Sequence, residues 1–165
     1  MSLGRRLRHL FTTAASVRRH FPDATLARIE QAIAATEATH RGQIRFAIEA
    51  SLDGAALWSG QSAAQRALEV FGLLGVWDTE LDNGVLIYLL WADRDVEIVA
   101  DRGVHSRVGA PGWEAVCREM EAAFRAGQFE QGAIAGVQAV GRHLTAHYPG
   151  DGNQRNELSD RPVLL

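Results

Sequence analysis

The residues most able to do chemistry lie between Gly75 and Gly84, where Asp78, Glu80 and Asp82 alternate along Val-Trp-Asp-Thr-Glu-Leu-Asp-Asn. Asp101 and Arg102 follow further along the chain, and Glu37 and His40 precede them. Carboxylates brought together repel one another unless a cation lies among them. That cation could be Arg102, a protonated His40, or a hard metal ion held by oxygen atoms. Calcium or magnesium suits such donors, with Asp78, Glu80, Asp82, Asn83 and Asp101 as the ligands, and zinc suits them poorly. The alternation resembles the start of an EF-hand loop, but the glycine falls one place late, at Gly84. Leu89 also stands where a bidentate glutamate belongs, so the loop is not an EF-hand. The plainer alternative is a solvated acidic turn, with Asn83-Gly84 at its corner and Arg102 bridging to Asp78 or Glu80.

Other chemistries find less support. The segment from Gly103 to Gly109 lacks the lysine of a phosphate loop, and Ser62 and Ser106 have no partner placed by spacing. His143 and His147 share a helix face without a third ligand, and read as surface residues near a helix end. The one cysteine, Cys117, forms no internal disulfide, belongs to no zinc-like spacing, and reads as a small core residue.

For the acidic pieces to meet, particular elements must carry them. Leu26, Ile29, Ile33 and Thr36 recur at helical spacing up to Gly42, and Glu37 and His40 continue that face, where an apolar stripe should not carry a carboxylate. Ile44, Phe46 and Ile48 alternate as in a half-polar strand, and Val85–Trp91 is an unbroken apolar run, as in a central strand covered on both faces. Ala92–Asp95 is a tight turn into a return strand, Val96–Ala100, forming an antiparallel hairpin. A helix near 62–74 is expected to pack through Ala64, Leu68 and Phe71. Trp113, Val116, Met120 and Phe124 mark a third helix, and Phe129 to Leu144 a fourth, with Gly132 and Gly136 allowing close approach. The order helix–strand–helix–strand–strand–helix–helix makes the first two strands parallel neighbours. Their starts, the end of the third strand and the end of the first helix should then share one rim. Glu49 lies toward the opposite end.

Hydrophobic residues at 47% and charged residues at 22% are globular proportions, and a net charge of -3 gives no field that would draw in nucleic acid. No stretch approaches the length of a membrane span. The basic start, Arg5, Arg6 and Arg8 before Leu10 and Phe11, lacks the apolar core of a signal peptide, and a cytoplasmic location is expected. This segment is expected to pack on the domain as a helix, with Leu7, Leu10, Phe11 and Val17 as its apolar side. The alternative is a basic amphipathic helix on a membrane surface or a partner. The divisions are a basic N-terminal helix at 1–22, an α/β domain at 23–148 and a tail at 149–165, a surface segment pinned, if at all, by its last residues.

The stretch from Val76 to Gly103 has an Asn-Gly opening an apolar strand, an Asp-Arg hairpin, and a short strand leading into a glycine loop. With Phe124-Arg-Ala-Gly-Gln-Phe-Glu-Gln-Gly132 it resembles the TPM domain family, over roughly residues 24–147. That family groups thylakoid-lumen proteins of photosystem repair, a receptor-modulating membrane protein and many bacterial proteins. The chain looks most like a short bacterial branch without signal peptide or membrane anchor. The resemblance implies a three-layer α/β/α sandwich around a small mixed sheet of three to four strands. It also implies two functional leads, acid phosphatase activity in plant members and calcium binding in some bacterial ones. The chain departs from the common pattern in Asp101-Arg102, where relatives often have a glycine and an aromatic residue, and in the added Trp77-Asp78-Thr79-Glu80.

Three functions follow as expectations. The first is a domain binding calcium or magnesium, accessory to a cell-envelope or membrane-associated process, with a membrane-associated protein as its partner. The second is a metal-assisted phosphomonoester hydrolase in which Arg102 holds the phosphate and His40 or Glu37 transfers protons. The third is an interaction module with a structural ion-pair network.

Overall fold

Residues 43–49 are buried except for Arg45, and residues 84–90 are buried throughout, so both strands lie inside the sheet and are covered on both faces. The computed structural model describes residues 3–150 and 155–165. Strand β1 (Gln43–Glu49) pairs in parallel with β2 (Gly84–Leu90), Gln43 opposite Gly84 and Glu49 opposite Leu90. Strand β3 (Asp95–Ala100) returns antiparallel to β2, and Val85 faces Ala100. A short β4 (Val163–Leu164) adds in parallel to the other edge of β1, giving the order β3-β2-β1-β4.

Helices cover both faces. Ile44, Phe46 and Ile48 with Val85, Ile87 and Leu89 form a core with α3 (Asp23–Glu37), α7 (Ala110–Arg125) and α8 (Phe129–His147). Ala47, Leu86, Tyr88 and Leu90 point the other way, onto α4 (Gly54–Ser59) and α5 (Ala63–Leu73). This is the expected three-layer α/β/α sandwich. Close approach of α7 and α8 rests on their glycines: a Cβ on Gly136 would come within 2.2 Å of Met120 Sδ.

Three local expectations are corrected. Helix α5 packs through Ala63, Ala67 and Val70, while Leu68 is exposed, because the smaller side chains let the helix lie close on Leu86, Tyr88 and Leu90. The glycine-rich stretch after β3 is a helix, α6 (Arg102–Val108), capped by Asp101 and ended by Gly109 at φ +77°, with α7 beginning directly after it. The basic segment forms two helices, α1 (Leu3–Phe11) and α2 (Ala14–His20), separated where Thr13 caps the second; of its expected apolar side only Val17 is buried. The tail is pinned by its last residues as expected, since Leu165 N donates to Ile48 O beside β4 at the edge of β1.

Candidate functional site

The rim is built as the topology requires. Gln43 N donates to Asn83 O at 3.3 Å and Asp101 N to Gly84 O at 2.9 Å, so the starts of β1 and β2 and the end of β3 meet. Residues following α3 join them through His40, which bridges to Pro149, and Arg41 N, which donates to Tyr148 O. The backbone thus gathers there; the side chains do different things.

Glu37 is the last residue of α3, is buried, and accepts from Ile44 N at 2.8 Å, tying helix to strand. Burial pushes its pKa up to about 8, partly opposed by the Ile44 amide, with nearby Asp160 adding to the rise. His40 is fully buried, and its Nδ1 donates to the Gly42 carbonyl at 3.1 Å. Burial lowers its pKa to about 4, so at neutral pH it carries no charge. Both groups belong to the wall of the rim rather than its surface.

The acidic loop is folded around Thr79. Its buried hydroxyl accepts from Asn83 N at 3.1 Å, and Asp82 N donates to Thr79 O, with Asp82 at a positive φ of 49°. Turning Thr79 inward leaves Asp78, Glu80 and Asp82 exposed. Glu80 N donates to Glu157 Oε2 of the tail at 2.9 Å. Among the described residues no three His, Cys, Asp or Glu side chains are grouped so as to hold a metal ion. The segments meet as expected, but the side chains of Asp78, Glu80 and Asp82 stand exposed instead of forming one group with Glu37 and Asp101.

Two oxygens on the rim stand apart. Asn83 is fully buried and donates through Nδ2 to Arg41 O at 2.8 Å, while its Oδ1 is buried with no donor among the described residues. Asp101 caps α6, its Oδ1 accepting from Arg102 N at 2.9 Å, and its Oδ2 is likewise buried without a donor among them. Arg102 is exposed. An amide oxygen and a carboxylate oxygen, with no sulfur or imidazole, match the donor chemistry of a hard cation. The fit is partial, since further ligands must come from the exposed loop or from water.

At the other end of the sheet the carboxylates of Glu49 and Asp93 are paired. Glu49 closes β1, accepts from Arg66 Nε at 2.9 Å and Nη2 at 3.0 Å, and accepts from Tyr88 Oη at 2.6 Å. Burial and the Glu49 carboxylate push the Tyr88 phenol up, and that same carboxylate raises Arg66. In the hairpin Asp93 meets Arg5 at 2.8 Å and His9 at 3.2 Å. The signal for the first network was a glutamate ending β1, at the sheet end away from the acidic loop; nothing in the spacing tied Arg5 to Asp93. Between β3 and α7, burial raises Asp95 and Glu97, with Glu121 repelling both, and burial pushes the thiol of Cys117, packed against the core, up to about 12, in keeping with an unreactive cysteine.

No curated protein matches the chain. Its fold is similar to the NMR structure of the BA42 protein from the psychrophilic bacterium Bizionia argentinensis, at 27% identity and a TM-score of 0.75 over 93% of this chain and 95% of that one. It is also similar to the N-terminal domain of a P. gingivalis protein, at 18% identity and a TM-score of 0.62 over 76% and 79% of the two chains, a likeness of fold alone. Among the described residues no helix is long and apolar enough to cross a membrane. A family model described as the TPM domain matches residues 18–143, and the chain belongs to the TPM domain family.

Proposed function

We propose that this TPM domain binds a hard divalent cation, calcium or magnesium, at the rim formed by Asn83 and Asp101. In this reading it is a cytoplasmic accessory to a membrane-associated process rather than an enzyme. The observation that supports it is the pair of buried oxygens, Asn83 Oδ1 and Asp101 Oδ2, that lack a donor among the described residues. A buried acceptor left unsatisfied costs about 1–3 kcal/mol. The residues carrying the two oxygens meet at Gly84, which follows Asn83 and whose carbonyl accepts from Asp101 N, and a cation would take a lone pair from each oxygen. Asp82 and Glu80, exposed on the adjoining loop, are the carboxylates able to turn toward such an ion. Water would complete the shell, as is common for these ions.

Thermal melting with and without the metal tests this. A ligand that binds only the folded chain raises its Tm. Calcium or magnesium at about 1 mM should do so, and the rise should vanish in Asn83→Ala and Asp101→Ala while Asp78→Asn retains most of it. Because each variant is compared with itself, any loss of the α6 cap cancels. No rise at millimolar metal would leave the acidic loop as a solvated interaction surface. Metal-dependent turnover of p-nitrophenyl phosphate that is lost in Arg102→Ala would replace the reading with a hydrolase.

A further inference from the structure

Helix α1 is amphipathic, and it is docked the wrong way round for a helix that merely packs on a core. Its polar stripe faces the domain. Arg5 reaches Asp93 at 2.8 Å and Gln61 O at 2.9 Å, and Arg8 Nε donates to Ala92 O at 3.2 Å. His9 is 3% exposed and accepts from Leu52 N through Nδ1 at 3.0 Å. The opposite stripe, at i, i+4, i+7 and i+8, is Leu3, Leu7, Leu10 and Phe11, and these are 72%, 46%, 73% and 77% exposed. Trp58 of α4 lies beside the helix, 70% exposed, with the Arg6 guanidinium 4.1 Å above its ring. Four large apolar side chains and a tryptophan are thus held outward by one buried and several part-buried polar contacts.

We propose that α1 and Trp58 seat the protein on an anionic lipid surface. The charge of the segment selects that occupant. Residues 3–22 carry Arg5, Arg6, Arg8, Arg18 and Arg19 and not one acidic residue, in a chain whose formal charge is -3. Arg19 is exposed, and Arg8 and Arg18 keep much of their surface exposed while reaching Asp93 at 3.4 Å and Asp23 at 3.7 Å. Leucine and phenylalanine on one side, arginine around them, and a tryptophan at the margin make the pattern of a helix lying in the headgroup layer. Arginines near an anionic leaflet add attraction that salt weakens. A second copy fits worse, because a two-fold contact through α1 would bring two acid-free arginine segments together. The polar docking of α1 fixes how the sheet would stand on the bilayer, a role a floppy basic tail could not fill.

Sedimentation of the full chain with vesicles tests the idea, in EDTA so that the cation reading stands or falls separately. Vesicles of phosphatidylcholine with about 30% phosphatidylserine should carry the protein down. Pure phosphatidylcholine, or the mixed vesicles in high salt, should not. The variant Leu7→Ser/Leu10→Ser/Phe11→Ser should bind at least about tenfold more weakly with an unchanged Tm, since those side chains contribute little to the core. Blue-shifted Trp58 emission, read as the difference between wild type and Trp58→Phe, should accompany binding. No sedimentation with the anionic vesicles, or equal binding by the triple variant, would overturn the proposal. So would a concentration-dependent dimer dissolved by those same substitutions, which would make α1 a contact between copies.

Discussion

Glu37 and His40 stand three positions apart, and burial drives their proton affinities in opposite directions, the carboxyl up to about 8 and the imidazole down to about 4. Each is thereby kept neutral at pH 7. The consequences for stability also oppose. Below its ordinary value the Glu37 carboxyl is protonated in both folded and unfolded chains; between that value and about 8 only the folded chain keeps the proton, so stability falls as pH rises through this window. For His40 the unfolded chain binds the extra proton between about 4 and its ordinary value of 6.5, so stability is lost as pH falls through that range. The two slopes oppose each other in mildly acid solution, and above 6.5 the Glu37 slope is left alone. Wild-type Tm should therefore decline between pH 6.5 and 8, and Glu37→Gln, which keeps the acceptor for Ile44 N, should remove most of that decline. Equal slopes in wild type and variant would show that Glu37 is ionised in the fold. A carboxylate on an apolar helical stripe was visible in the spacing, and it marked Glu37 as unusual. Its actual partner was not, because the Ile44 amide becomes reachable only once helix and strand are packed.

At the scale of elements, the start of β2 decides how the acidic loop lies. Val76 O crosses directly over Gly84, and a Cβ there would come within 2.0 Å of it, with no flexible side chain to give way. Gly103 is confined in a similar manner, by Tyr148 Oη at 2.8 Å and Asp82 O at 3.0 Å from where its Cβ would be. Loop, strand start and α6 are therefore packed backbone to backbone. Gly84→Ala should destabilise the domain by about 1–3 kcal/mol, as overpacking of a closed site does, measured by urea unfolding; an unchanged midpoint would mean that the loop is not seated on the strand. The strands, the hairpin and the α7–α8 junction were legible because apolar alternation, a turn dipeptide and paired glycines each reflect one local constraint. Helix α5 was legible as a helix but not in its phase, since Leu68 outweighed Ala63 and Ala67 in the pattern while the sheet selected the smaller residues. Helix α6 was hidden by Gly103 and Gly109, which mark its beginning and end rather than a loop.

The whole molecule has two unlike sheet ends. Where β1 and β2 finish, Glu49, Arg66, Tyr88 and Asp93 are matched to one another or to the N-terminal helices. Where they begin, Asn83 and Asp101 each hold a buried oxygen without a donor among the described residues. Topology alone predicts which segments meet at that second end, because strand direction and connection fix it. It does not predict that Thr79 turns the acidic side chains outward, a matter of one hydroxyl and one amide. The division of labour between the ends is what the cation proposal depends on. Calcium titration of the isotopically labelled protein, followed through its backbone amides, examines it directly. Saturable shifts confined to Asn83, Gly84 and Asp101–Gly103, with Glu49 and Arg66 unmoved, are the expected result. Amides that stay still at millimolar calcium, or that move only at Asp78 and Glu80 without saturating, would contradict it.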